Sequence, residues 1–286
     1  MFYRLADSPQ GDLLAQFRSL LFAPATRPER FAKAAASGAD AVCLDLEDAV
    51  APGDKGLART AALNFLAARP AGGPAIGLRL NGRGTPWFDD DLKAAARAKA
   101  DFFMIPKAAS AQDFAMLQRA LGESRPFWPL IETPEALMRA WEIAAAPAVE
   151  GVLFGAFDFS AEVGCEMSWE PLLFARGQIA AACARAGVQA LDAPAAGIDD
   201  PDTLRQETDR ARRLGFTGRA CIHPAQVAPV NGVYTPDAET VAQARRILAA
   251  FDAAAGGPAI LDGKLIELPV ARQARRILDR AQGGAE

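Results

Sequence analysis

Two carboxylates, Glu132 and Asp158, each stand near the end of a short apolar run. Glu132 follows Phe127–Ile131, and behind it Thr133 offers an N-cap hydroxyl and Pro134 suits the first position of a helix. An acid at a strand-to-helix junction is badly placed for packing and well placed to reach into a cleft. It would serve equally as a partner for the helix N-terminus or an arginine, and this stretch alone leaves both uses open. Asp158 falls in the run Gly151–Phe159, where Gly155 and Ala156 let backbone N–H groups approach a ligand as an anion nest does. With no histidine or thiolate beside them, two carboxylates suit a hard ion, Mg²⁺ more than Zn²⁺. Mg²⁺ keeps several positions for water or substrate oxygens, so two protein ligands suffice.

A second charged group sits at other strand ends. In Val42–Val50, alternation puts Asp45 and Glu47 on one side and Leu44 and Leu46 on the other. Two inward acids are expensive to bury unless cations or donors meet them. Arg79, flanked by Leu78 and Leu80, offers a guanidinium fork for a carboxylate, from substrate or from Asp45 and Glu47. Lys107, after Ile105-Pro106, reads as a helix-approach charge. His223 is the only histidine, and beside Pro224 it reads as a hydrogen-bonded rim residue.

The elements that must position these residues alternate. β-rich runs are expected at Ser19–Phe22, Ala41–Leu46, Ala75–Leu80, Asp101–Pro106, Phe127–Ile131, Gly151–Phe154, Gln189–Asp192 and Arg219–Ile222. Helical periodicity fills Pro28–Ser37, Leu57–Ala68, Phe88–Ala98, Ala111–Leu121, Glu135–Ala145, Leu172–Ala186 and Asp202–Leu214. Thr26-Arg-Pro-Glu29 has the capping-box pattern, and Thr85-Pro86 and Thr133-Pro134 pair an N-cap with a first-turn proline. Eight βα units imply a parallel sheet buried on both faces, and closure into a (β/α)8 TIM barrel is the simplest arrangement. A doubly wound open sheet is the rival, but no GxGxxG follows the first strand. The expected organisation is a lead-in over 1–16, a barrel over 17–235 and a C-terminal helical extension over 236–286. The extension contains helices over Pro236–Ala253 and from about Val270. It exceeds what closure needs and is expected to cover a barrel mouth or pack on a neighbouring subunit.

Composition narrows the partners. A net charge of −4 over 286 residues argues against nucleic acid, which calls for a basic face. Asp7 and Asp12 interrupt the N-terminus before any apolar leader core forms, and no apolar run is long enough to span a bilayer. Cys43, Cys165, Cys183 and Cys221 show no metal-ligand spacing, which fits a cytoplasmic protein with free thiols and no membrane partner.

The motifs Thr26-Arg-Pro-Glu-Arg-Phe, Leu44-Asp-Leu-Glu-Asp-Ala-Val, Ile105-Pro-Lys, Leu130-Ile-Glu-Thr-Pro, Phe154-Gly-Ala-Phe-Asp and Cys221-Ile-His-Pro-Ala-Gln, in this order along nearly the whole chain, resemble the citrate lyase β-subunit-like enzymes of the HpcH/HpaI aldolase superfamily. The resemblance implies a Mg²⁺-dependent carbon–carbon lyase that cleaves a malyl-, citramalyl- or citryl-CoA type thioester to a 2-oxo acid and an acyl-CoA. Glu132 and Asp158 match the metal ligands, Arg79 the arginine that holds the keto-acid end, and Gly155, Ala156 and Phe157 the substrate-carboxylate loop. It also implies a homotrimer or hexamer. In the malyl-CoA lyase branch the tail carries Gly-Lys-Met-Ile-Asp, whose aspartate is an acid/base on the acyl carbon. Here the stretch is Gly263-Lys-Leu-Ile-Glu267, so Glu267 takes that position with a side chain one carbon longer. Arg79, Glu47, Asp45 and Glu267 are the expected catalytic residues. The alternatives are a CoA-independent aldolase of hydroxy-keto acids, whose relatives use a histidine near the second strand that this chain lacks, and a subunit active only in a complex or a barrel that binds without turnover.

Overall fold

The computed structural model describes residues 16–122 and 125–283. The expected lead-in lies outside the described residues except for Gln16. Eight parallel strands form in chain order: β1 (Ser19–Pro24), β2 (Ala41–Asp45), β3 (Ala75–Arg79), β4 (Phe102–Ile105), β5 (Phe127–Ile131), β6 (Gly151–Phe154), β7 (Gln189–Asp192) and β8 (Gly218–Cys221). Each pairs with the next, and β8 returns to β1, so the sheet closes as the TIM barrel expected. Closure leaves no sheet edge exposed.

Alternation decides what fills the barrel. Leu20 of β1, Ala41 and Cys43 of β2, Phe102 and Met104 of β4, and Trp128 and Leu130 of β5 belong to one buried cluster inside it. Large rings need room opposite: a Cβ on Gly151 would come within 2.2 Å of the Trp128 ring. The same i, i+2 series, carried upward, ends in charge. Ala41 and Cys43 lead to Asp45, Ala75 and Gly77 to Arg79, and Trp128 and Leu130 to Glu132. The inward face is therefore apolar below and ionic at the C-terminal rim, where barrels of this kind carry their chemistry.

Helices α1 (Phe31–Ala35), α2 (Lys55–Ala68), α3 (Phe88–Ala95), α4 (Ala111–Leu121), α5 (Pro134–Met138), α6 (Ala140–Ala144), α7 (Ala156–Val163), α8 (Trp169–Ala186), α9 (Pro201–Leu214) and α10 (Val227–Tyr234) follow the strands. Several differ from the expected spans. Pro28–Arg30 is a 3₁₀ turn ahead of α1, with Arg27 rather than Thr26 at its N-cap and no side-chain cap bond. Thr85 does not cap a helix; its hydroxyl donates to Gly82 O at 2.8 Å within a turn, and α3 begins at Phe88. The expected Glu135–Ala145 helix breaks at Arg139, where φ −103° and ψ 11° interrupt the α-helical path between α5 and α6. α8 starts before Pro171, because a first-turn proline lacks only an N–H that would have no intrahelical partner. β6 stops at Phe154, as the expected span has it, but Asp158 does not follow on the strand, because α7 takes over at Ala156. Thr133 does cap α5, accepting from Ala136 N at 3.1 Å.

The described chain falls into two compact units, divided between Val230 and Asn231. In the second unit, α11 (Ala238–Ala253) is capped by Asp237, which accepts from Thr240 N at 2.7 Å. β9 (Ala259–Leu261) and β10 (Lys264–Ile266) form an antiparallel hairpin. Its two-residue turn is Asp262-Gly263, with φ 51° and 73°, the left-handed geometry that matches strand twist. α12 (Leu268–Gly283) packs on α11. Among the described residues no helix is long and apolar enough to cross a membrane. All four cysteines are free, with Cys43 and Cys221 buried in β2 and β8.

Candidate active site

Glu132 is 1 % exposed, one residue past β5. Its Oε1 accepts from the backbone N–H of Lys107 at 2.6 Å. Lys107 holds that N–H in place from a left-handed conformation, φ 48°, which is uncommon outside glycine. Burial raises the Glu132 carboxyl to about 7; the Lys107 N–H opposes the rise and the charge of Asp158 adds to it. Gly155 makes room for this carboxylate, since a Cβ there would lie 2.4 Å from Glu132 Cβ and 2.8 Å from Oε2. Asp158 is not on a strand. It projects from the first turn of α7, exposed.

Arg79 closes β3 and is clamped. Its Nε and Nη2 donate to the two oxygens of Asp45 at 2.7 and 2.6 Å, a bidentate fork. Nη1 lies 3.0 Å from Glu47 Oε2, off the hydrogen-bond axis, and 3.4 Å from Asp48. The guanidinium carbon stands 5.0 Å from the centre of the Phe22 ring. Burial alone would lower the Arg79 pKa, but Asp45, Glu47 and Asp48 outweigh it and raise it. Glu47 is pushed the other way: burial lifts its carboxyl to about 8 against the pull of Arg79. A carboxyl near neutrality beside a fixed cation can hold or release a proton in the working pH range.

All of these acids and Arg79, Glu47 excepted, share one cavity of about 580 Å³. Asp45, Asp48, Arg79, Glu132 and Asp158 line one part, with Gly155, Ala156 and Phe157 beside them. Phe22, Leu130, Leu153, Pro194 and Ile222 supply an apolar wall. Of the residues singled out from sequence, Asp45, Arg79, Glu132, Asp158 and the Gly155–Phe157 loop are thus brought together, with Glu47 against Arg79. Glu267 belongs to the second unit, where it is exposed and its carbonyl accepts from Val270 and Ala271 at the start of α12. His223 is an exposed rim residue whose Nδ1 accepts from Ala225 N at 3.2 Å, the hydrogen-bonded position expected of it. Two contributors escaped sequence reasoning. Asp48 was visible only as the third acid of Asp45-Leu-Glu-Asp48, and the Lys107 backbone N–H left no residue-type signal.

The donor set fits Mg²⁺. Among the described residues no group of three His, Cys, Asp or Glu side chains could hold a metal. The two-carboxylate set is oxygen-only and sparse, as suits an ion that keeps waters and substrate oxygens.

Fold and site together define a (β/α)8 barrel enzyme scaffold whose rim sets a carboxylate pair and a clamped arginine in one cavity. The HpcH/HpaI aldolase/citrate lyase profile matches residues 18–224, and that of a C–C bond lyase of the TIM-barrel fold matches residues 178–283. The chain belongs to the HpcH/HpaI aldolase/citrate lyase family. It is 35% identical to an L-malyl-CoA/beta-methylmalyl-CoA lyase of Cereibacter sphaeroides, over 93% of this chain and 94% of that one. It is also 35% identical to a (3S)-malyl-CoA thioesterase of the same organism, over 93% and 95%. The CitE protein of Mycobacterium tuberculosis, in a crystal structure with magnesium, acetoacetate and coenzyme A, is 36% identical, with a TM-score of 0.81 over 94% of this chain and 100% of that one.

Proposed function

We propose that this protein is a Mg²⁺-dependent carbon–carbon lyase of the cytoplasm that cleaves a hydroxy-acyl-CoA thioester to a 2-oxo acid and an acyl-CoA. The observation that carries this is one cavity that holds Glu132 and Asp158 together with Arg79 under its Asp45 clamp. Glu132 and Asp158 would hold the metal. Bound there, it would polarise the substrate's hydroxyl and carboxylate oxygens and lower the hydroxyl pKa. The first-turn N–H groups of α7 have no intrahelical acceptors and can take a substrate carboxylate. Arg79, fixed by Asp45 and backed by Glu47, balances the negative charge that grows on the substrate hydroxyl oxygen as its proton leaves, charge that passes to the thioester when the carbon–carbon bond breaks. The hydroxyl gives its proton to water, its oxygen pair closes the carbonyl of the 2-oxo acid, and the carbon–carbon bonding pair moves to the α-carbon of the thioester, giving an enolate that takes one proton; Glu267 is the acid assigned to deliver it. A homotrimer or hexamer is the expected assembly, which light scattering measures.

Thioester hydrolysis is a second reading, supported by the equal identity to a thioesterase. Purified protein is assayed with malyl-, citramalyl- and citryl-CoA, with and without Mg²⁺, scoring the 2-oxo acid, acyl-CoA and free CoA separately. The lyase reading expects metal-dependent 2-oxo acid release with the acyl-CoA intact, lost in Glu132→Ala. Free CoA alone would establish hydrolysis instead, and a Glu132→Ala enzyme with near-normal turnover at limiting Mg²⁺ would refute the metal assignment.

A further inference from the structure

Lys55 is the first residue of α2, where the helix dipole disfavours a cation, and its side chain is buried. Burial lowers its pKa, a further cost that nearby acids only partly offset. Such a placement needs a compensating gain. The ammonium spends its three donors on Leu46 O at 2.8 Å, Glu47 O at 2.7 Å and Asn81 Oδ1 at 2.6 Å, and lies 4.9 Å from the centre of the Trp87 ring. Leu46 and Glu47 continue from the end of β2, and Asn81 lies two residues past Arg79 at the end of β3. The last ladder bond between these strands is Leu46 N to Arg79 O, at 3.0 Å. Above it, Lys55 joins the two chain segments.

Asn81 is itself held. Its backbone N and Nδ2 both donate to Asp91 Oδ2, at 2.8 and 2.6 Å, and Arg59 Nε donates to Asp91 Oδ1 at 2.7 Å. Lys55 and Arg59, one turn apart on α2, therefore hold the Asn81–Asp91 pair from two points. Asp91 is fully buried, and none of these four residues lines the cavity.

We propose that Lys55 is a positioning residue for the reaction, a latch between β2 and β3 that sets Glu47 against Arg79. This rests on the reading of Arg79 as the group that holds the 2-oxo acid. Without the latch, the carbonyls of Leu46 and Glu47 lose their buried donor and the segment carrying Glu47 relaxes. The metal pair should be indifferent, because Glu132 and Asp158 come from β5 and α7.

Calorimetry on the full-length protein tests this. Lys55→Met keeps the apolar stem and removes the donors. It is expected to weaken pyruvate binding to the Mg²⁺-loaded protein about tenfold, within the range of couplings inside one polar network. Affinity for Mg²⁺ alone should stay within about twofold of wild type. In an Arg79→Gln background Lys55→Met should cause no further weakening, because the latch acts through Arg79. If Lys55→Met does not fold, Asn81→Leu removes the Lys55–Asn81 bond, and with it the Nδ2–Asp91 bond, while leaving Lys55 on Leu46 O and Glu47 O, and should give the same pattern at smaller amplitude. Unchanged pyruvate affinity in a folded variant, or equal weakening in both backgrounds, overturns the latch. A wild-type protein that binds Mg²⁺ but no pyruvate overturns the lyase reading, and the latch with it.

Discussion

Gly155→Ala adds one methyl group at the point where the site has no room for it. The new Cβ would lie 2.4 Å from Glu132 Cβ and 2.8 Å from its Oε2. Carbon atoms in contact normally stand about 3.5–4.0 Å apart, so Glu132 or the start of α7 must retreat by about 1 Å. Backbone strain is not involved: Gly155 has φ −86° and ψ 67°, outside the left-handed region. The damage falls on Glu132 and on the start of α7, which carries Asp158, since the nearest atoms to the added Cβ all belong to Glu132 and Gly155 is the N-cap of that helix. Overpacking of this kind costs about 1–3 kcal/mol of stability. Displacing a reacting group by about 1 Å can cost about a hundredfold in rate.

The assay pairs Mg²⁺ titration by calorimetry with turnover at saturating Mg²⁺. Gly155→Ala is expected to lose at least about tenfold in Mg²⁺ affinity and about a hundredfold in turnover. Gly177→Ala is the control. It lies inside α8 with nothing within 4 Å of an added Cβ, and alanine there should stabilise the helix by about 0.5–1 kcal/mol. A folded Gly155→Ala protein that binds Mg²⁺ and turns over like Gly177→Ala would sink the assignment of Glu132 as a metal ligand.

Other outcomes bear on the same site. Glu132→Gln, measured by thermal melting, should abolish the Mg²⁺-induced rise in Tm while melting at least as high as wild type without metal, because it removes a carboxylate that burial penalises; a retained Mg²⁺ shift contradicts this. With the Glu132 carboxyl at about 7, a proton competes with the metal, so Mg²⁺ affinity should weaken as pH falls through that value. The metal-free protein should show the opposite trend from this group. The folded state binds the extra proton between the ordinary carboxyl value of about 4.3 and about 7, so stability falls as pH rises through that window. Affinity that stays flat from about pH 6 to about pH 8 excludes this coupling. Glu267→Gln should lower turnover by about a hundredfold or more while leaving Mg²⁺ affinity and Tm unchanged, since the side chain is exposed; unchanged turnover removes Glu267 from the mechanism.

The inward series of the strands was legible because its signal is local. Alternation needs only a run of five residues, and it put Asp45 on one side with Glu47, of which Asp45 lines the cavity. Thr133-Pro134 fixed the start of α5 for the same reason. Asp158 shows where local reasoning stops. Gly151–Phe157 is apolar throughout, and such a run does not by itself say whether Asp158 sits on a strand or on a helix. That switch is set by Gly155, whose N–H completes the β5–β6 ladder on Ile131 O at 3.0 Å and whose carbonyl then accepts from Phe159 N to open α7. The change of element is what matters chemically, because it adds a helix N-terminus beside the carboxylates proposed to hold the metal.

The groups least visible in the sequence are those that hold the visible ones. Lys107 acts through its backbone, and its identity as lysine carries no information about φ 48°. Lys55 looks like an unfavourable first-turn cation, and only the three acceptors around it explain why a cation is there. Asn81 and Asp91 look like a strand-end amide and one acid of an exposed trio. Yet Asp91 is fully buried, and this pair, not the reacting residues, fixes how the end of β3 meets the end of β2. A carboxylate or guanidinium announces its chemistry by type. The distance at which it is held is decided by partners from elements far apart in the chain, here α2 and α3 acting on β2 and β3, and that distance, more than residue identity, sets the rate.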